Sequence, residues 1–156
     1  MAMLPVLDVN GALRAALESR RPFRSSPPIV GIFACDPFLR VADMAKTLHG
    51  AGIDEVVNYP TVQCYEGETA AAMASVGYRA EAEFRVLLQF RERGFAPVAC
   101  VMSLRAAEAA LTLGLRRILI HPGLSSPGDA AALWTELAGH VAVEGGEPLG
   151  WRPAAS

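Results

Sequence analysis

PVACVMSLRAAEAALTLGLRRILIHPG, residues 97–123, decides the fold. Pro97–Met102 is an apolar run of strand length, and Leu104–Leu113 is a helix closed by Gly114. Arg117–Ile120 is a second apolar run, ending at His121. Strand, helix and strand with no hairpin signal between them make a unit whose strands lie parallel. Working outward, Ile29–Cys35 and Glu55–Tyr59 are runs of the same kind, each ending in a residue that opens a loop and helix. Four such units are legible, and a closed barrel of this type needs eight.

The remaining segments fit one domain over residues 1–156. Residues 1–28 hold an amphipathic helix, Val9–Arg20, capped by Asp8 or Asn10, and a linker from Pro22 to Pro28 rich in proline and serine. Residues 29–143 carry the repeating units, and 144–156 read as a frayed tail or one docked by Trp151. Asp36-Pro37 starts a helix with Asp as cap and Pro at its first position, closing at Gly50 or Gly52. A longer excursion over residues 61–78 precedes a helix at about Arg79–Arg93, and Asp129–Val141 is the last helix. The architecture expected is an α/β half-barrel of four units. Its two open edges and uncovered apolar face call for a homodimer or higher homo-oligomer. A flavodoxin-like open parallel sheet with helices on both faces is the alternative, because the same alternation encodes it.

A hydrophobic fraction of 52% suits a domain with a core-like interface. A net charge of −2 leaves no basic stripe to neutralise phosphates, so nucleic acid is not an expected partner. The apolar runs are too short to span a bilayer. Cys35, Cys64 and Cys100 have neither disulfide-framework nor metal-finger spacing and read as small core residues of a reducing compartment. The N-terminus lacks the pattern of a secretion signal, so a cytoplasmic location is expected.

The ends of parallel strands are where barrel enzymes do their chemistry. Asp36 ends the first run; a carboxylate there holds a cation or acts as a base, or simply caps a helix. Asn58 and Tyr59 end the second, where Asn58 bonds a substrate oxygen or turns the chain ahead of Pro60. Glu81 and Glu83, two apart on a helix, face different ways, with Arg85 and Arg79 as their respective i,i+4 and i−4 partners. His121 ends the fourth strand, a general acid, base or ligand near neutrality, or a strand end bonded to backbone. Ser125 and Ser126 offer hydroxyls to a phosphate, or Ser126 caps Pro127.

Four motifs in order, Asp36-Pro37-Phe38, then Asn58-Tyr59-Pro60-Thr61-Val62, then Gly77-Tyr78 with Glu81 and Glu83, then His121-Pro122-Gly123-Leu124, resemble the phosphoenolpyruvate hydrolase-like TIM-barrel family. That family takes in a bacterial signal-transduction domain and the C-terminal domain of a plant antiviral resistance protein. The resemblance spans roughly residues 29–128 and implies the middle strands, three to six, of a barrel. It implies a lyase or hydrolase for a small carboxylate or phosphorylated compound. Asp36, His121, Glu81 and Glu83 would carry the chemistry, with a divalent cation such as Mg²⁺ on Asp36. Asn58, Tyr59, Thr61, Ser125 and Ser126 would hold the substrate. The family's glycine-rich phosphate loop is replaced here by Ser125-Ser126-Pro127-Gly128-Asp129. That departure supports the other reading, a non-catalytic oligomerising or ligand-binding module.

Overall fold

The structure, a computed structural model, describes residues 8–19, 29–123 and 126–150. Five parallel strands, β1 (Val30–Gly31), β2 (Glu55–Val57), β3 (Ala96–Val101), β4 (Arg117–Ile120) and β5 (Glu147–Gly150), lie in the sheet in the order of the chain. Six α-helices accompany them: α1 (Val9–Glu18), α2 (Val41–Gly50), α3 (Gly67–Ser75), α4 (Ala80–Arg91), α5 (Leu104–Thr112) and α6 (Pro127–Val143). Crossovers between parallel strands are right-handed, so an order that never reverses puts every connecting helix on one face. The packing agrees. Val56, Ala99, Ile118 and Ile120 share one core with Leu48 of α2, Phe84 and Leu87 of α4, Ala107 of α5 and Leu137 of α6.

Alternate side chains point the other way. Val57, Val98 and Cys100 form a second, smaller cluster with Tyr59, Leu119 and Leu149. Below it Arg117 meets Glu55 at 2.8 Å and Glu147 at 3.3 Å, an ionic layer at the beginnings of β2, β4 and β5. A singly wound sheet with helices on one face is a partial parallel α/β barrel. The flavodoxin-like alternative, which needs helices on both faces and a reversal of strand order, is excluded.

Three expectations change. The stretch expected as a tail contains β5, paired with β4 from Arg117↔Glu147 to Ile120↔Gly150. A four-residue run with an internal proline reads as non-strand, yet Pro148 is admissible here. The Glu147 amide donates to Arg116 at 2.7 Å, so by alternation the Pro148 backbone faces away from β4 and its missing N–H costs no ladder bond. The helix expected from Asp36 begins instead at Val41, after a turn over residues 34–38. The excursion before α4 holds a single 3-10 turn, Val62–Cys64, and α3, which buries none of its residues. The 22–28 linker and Trp151 lie outside the described residues. No helix among those described is long and apolar enough to cross a membrane.

Gly31 fixes how the sheet meets the loop after β2, because a Cβ there would run into the Tyr59 carbonyl oxygen. Backbone cannot yield as a side-chain tip does. Gly31→Ala should therefore cost about 1–3 kcal/mol, read as a lower urea midpoint at unchanged slope.

Candidate functional site

The strand ends sort the candidate residues into three groups, and side-chain alternation does the sorting. On β2, Val57 and Tyr59 point to the concave face, while Val56 and Asn58 point beneath the helices. On β4, Leu119 lies on the concave face, and His121, two residues on, shares it. Tyr59 and His121 meet there with ring centroids 5.4 Å apart and planes tilted by 31°. His121 is 9% exposed. Its Nδ1 accepts the Gly123 amide at 3.0 Å, which leaves the ring proton of the neutral imidazole on Nε2. Burial lowers its pKa below the ordinary 6.5. The ring is therefore neutral at pH 7, with Nε2–H as a donor.

The second group lies under α4. Glu83 is fully buried, with no salt bridge to a cation among the described residues. Four donors hold its carboxylate: Thr61 Oγ1 at 2.7 Å, Asn58 Nδ2 at 2.9 Å and Gln63 Nε2 at 3.3 Å on Oε2, and the Val62 amide at 2.9 Å on Oε1. Desolvation raises its pKa from the ordinary 4.5, and the hydrogen bonds oppose that rise. The Arg79 partner expected for Glu83 is absent; that guanidinium donates to the Ala74 carbonyl at 2.9 Å. Glu81 is half-buried and, among the described residues, makes no salt bridge with Arg85.

The same network finishes β3. Beyond the end of β2, the Asn58 carboxamide pairs with Cys100, accepting from its N–H at 2.7 Å and donating to its C=O at 3.2 Å. Gln63 takes the next pair of backbone groups, donating to the Cys100 carbonyl at 2.9 Å and accepting from the Met102 amide at 3.2 Å. Asn58 and Thr61 thus sit in the wall behind the mouth. Gln63 went unnoticed in the sequence, since a lone Gln beside Cys64 carries no signal of its own.

The third group stands at the end of β1. Asp36 accepts the Phe38 amide at 2.8 Å on Oδ1 and the Asn10 carboxamide at 2.9 Å on Oδ2. It caps a turn and not a helix. β1 and β4 are three strand positions apart in the sheet, roughly 14 Å were it flat. Ser126 caps α6, accepting the Asp129 amide at 3.3 Å and donating to its carboxylate at 2.7 Å. Ser125 lies outside the described residues.

Among the described residues no three His, Cys, Asp or Glu side chains gather as a metal site. Asp36 would be the single protein carboxylate for a cation, with each oxygen already accepting one N–H. Among the described residues no metal cage is built. No disulfide joins the cysteines among the described residues, and burial raises all three thiols. Burial, and then the Glu83 carboxylate, push Cys35 and Cys100 up to about 12. The carboxylate acting on Cys35 is thus Glu83.

A partial parallel barrel with its polar groups at the C-terminal ends of the strands defines a TIM-barrel-type protein. The family model described as phosphoenolpyruvate hydrolase-like matches residues 1–142, and the chain belongs to that family. It is 34% identical over 119 residues to the Sinorhizobium fredii protein y4oT, covering 76% of this chain and 60% of that one. It is 26% identical over 131 residues to the tomato mosaic virus resistance protein Tm-1(GCR237) of Solanum lycopersicum, covering 83% of this chain and 17% of that protein. A putative transcriptional regulatory protein of the same Sinorhizobium, y4pA, is 28% identical over 123 residues, 79% of this chain and 20% of the relative. The chain therefore matches 60% of the first relative's length and a fifth or less of the other two.

Replacing Glu83 by Gln turns one acceptor into a donor, and either placement of the amide sets it against an N–H, the Val62 amide on the Oε1 side or Asn58 and Gln63 on the Oε2 side. Glu83→Gln should cost about 1–3 kcal/mol. A raised folded-state pKa means that the wild-type contribution is complete below pH 4.5 and declines as pH rises through the folded value. The melting-point gap between wild type and variant should accordingly be widest at acid pH and narrow toward neutrality, checked by calorimetry across a pH series.

Proposed function

We propose that the chain acts on a small carboxylate or phosphorylated compound, as a lyase or hydrolase, with His121 and Tyr59 at the centre of the site. The observation that carries this reading is their contact on the concave face, at the strand ends where parallel barrels do their chemistry. A neutral imidazole with its proton on Nε2 donates a hydrogen bond to a substrate oxygen and so polarises the bond to it, a role lost when the ring takes up a second proton. The Tyr59 hydroxyl supplies a second donor or acceptor beside it. Asp36 takes the role of a ligand-facing carboxylate at the rim. Asn58, Thr61 and Glu83 act one layer back by fixing the loop that carries Tyr59. Ser126 is committed to its helix, so substrate holding falls to Tyr59 and His121.

The concave cluster with Leu119 and Leu149 half-buried supports a homodimer in which a second copy covers that face. Side-chain packing carries that contact better than a continuous strand ladder. Pro148 removes a donor from the outer edge of β5, and Asn10 occupies the Phe33 backbone groups beside β1.

A panel of phosphate esters and small carboxylates, assayed with and without Mg²⁺, tests the catalytic reading. Turnover should show an acid limb with its midpoint below pH 6.5, the side to which burial moves His121. His121→Gln should cut kcat about 10²–10⁴-fold, and Tyr59→Phe should lower it with the fold intact. No turnover and no binding anywhere in the panel would sink the reading and leave the non-catalytic module. Light scattering checks the assembly: about twice the chain mass of 16.5 kDa is expected, falling toward that of one chain in Leu149→Glu.

A further inference from the structure

Asn10 is 5% exposed, a buried carboxamide on the first helix of the fold. A buried amide costs free energy unless its hydrogen bonds are made. Two of them go to the backbone of one residue: Oδ1 accepts the Phe33 N–H at 3.1 Å and Nδ2 donates to the Phe33 C=O at 2.9 Å. Ile32 donates to Val57 of β2, so the Phe33 backbone faces the opposite side, where Asn10 stands in for a neighbouring strand. That pairing alone would satisfy the edge. The third bond goes elsewhere, from Nδ2 to Asp36 Oδ2 at 2.9 Å.

Ala34 and Cys35 are buried and anchor the start of the turn, but the half that follows Asp36 has less to hold it. Pro37 is exposed and Phe38 is 88% exposed, so no aromatic burial anchors it. The Asp36 and Leu39 backbone amides make turn bonds to Phe33 and Asp36 carbonyls at 3.3 and 3.1 Å. The carboxylate is pinned from two sides, by the Phe38 amide within its own turn and by Asn10 from outside it. Each oxygen keeps a second acceptor position for a ligand.

We infer that Asn10 is a positioning residue, through which α1 sets the aim of the Asp36 carboxylate at the rim of the site. The inference rests on the proposed role of Asp36 as a ligand-facing group and names the device that holds it. A carboxylate pinned in advance loses less side-chain freedom when a donor or cation engages it. α1 thereby becomes part of the site's scaffold, 26 residues away in sequence from the group that it orients.

Residue-resolved amide exchange on the full chain tests this with Asn10→Ala, Asn10→Asp and the double variant Asn10→Asp/Asp36→Asn. In Asn10→Ala, the Phe33 and Phe38 amides should exchange about tenfold faster, while Val98–Val101 of β3 keep their rates. Asn10→Asp sets two carboxylates against each other and should loosen Phe38 at least as much. Adding Asp36→Asn exchanges donor and acceptor between the two positions, and Phe38 protection should return toward wild type. Faster exchange at Phe33 with Phe38 unchanged would overturn the inference, leaving Asn10 as an edge cover. Equal acceleration in β3, or no recovery in the double variant, would overturn it too. These outcomes need no substrate, so they stand apart from failure of the substrate panel. For any compound that the panel finds, Asn10→Ala should raise KM about tenfold, with kcat held within about threefold.

Discussion

A parallel sheet must end somewhere, and at its end the backbone N–H and C=O groups lose their neighbours while still buried under helices. That constraint shapes the whole upper rim of this protein. β2 stops at Val57 while β3 continues to Val101, leaving the Cys100 and Met102 backbone facing an absent strand. Carboxamides fill the gap, since a carboxamide presents a donor and an acceptor side by side as a peptide does. Asn58 takes the Cys100 backbone groups, Gln63 takes the groups after them, and Asn10 takes the Phe33 backbone groups at the other edge. Each is an amide side chain continuing a ladder.

Glu83 follows from the same constraint. Once Asn58 and Gln63 have spent their oxygens on backbone donors, their NH₂ groups remain, and so does the Thr61 hydroxyl. One carboxylate gathers all three together with the Val62 amide. A buried carboxylate without a cationic partner is costly, and here the four donors offset that cost. The loop they fix is the one that presents Tyr59 to His121. The concave face is consequently layered, with an ionic base at Glu55, Arg117 and Glu147, an apolar middle at Val57, Cys100 and Leu119, and an aromatic–imidazole mouth above.

Much of the fold was legible because it rests on local pattern. The run over residues 97–123 declares strand, helix and strand, and its β3 and β4 pair as that pattern requires. His121, Asn58 and Asp36 stood out as candidates by their places at strand ends, and Glu83 by the family motif. Their sorting was not legible. Whether Asn58 faces substrate or Glu83 depends on where β2 ends relative to β3, and no local pattern carries that register. β5 was hidden because four residues around a proline bear no strand signal; only the neighbouring β4 gives them a ladder to join. Asn10 looked like a cap, and its real partners lie 23 and 26 residues away.

The sequence by itself determined a parallel α/β architecture, because apolar runs alternate with closed helices and no hairpin signal intervenes, while its motifs carried the resemblance to the phosphoenolpyruvate hydrolase-like family. It also determined which polar residues stand at strand ends, since those positions are counted along the chain. Tertiary structure alone decided that the sheet winds in one direction, which puts the connecting helices on one of its faces. It alone decided that Tyr59 and His121 share the mouth while Asn58, Thr61 and Glu83 close the wall behind it. The physical reason is the two-residue alternation of a strand. One step along β2 exchanges the concave face for the helix-covered one, and only the packed sheet says which face is which.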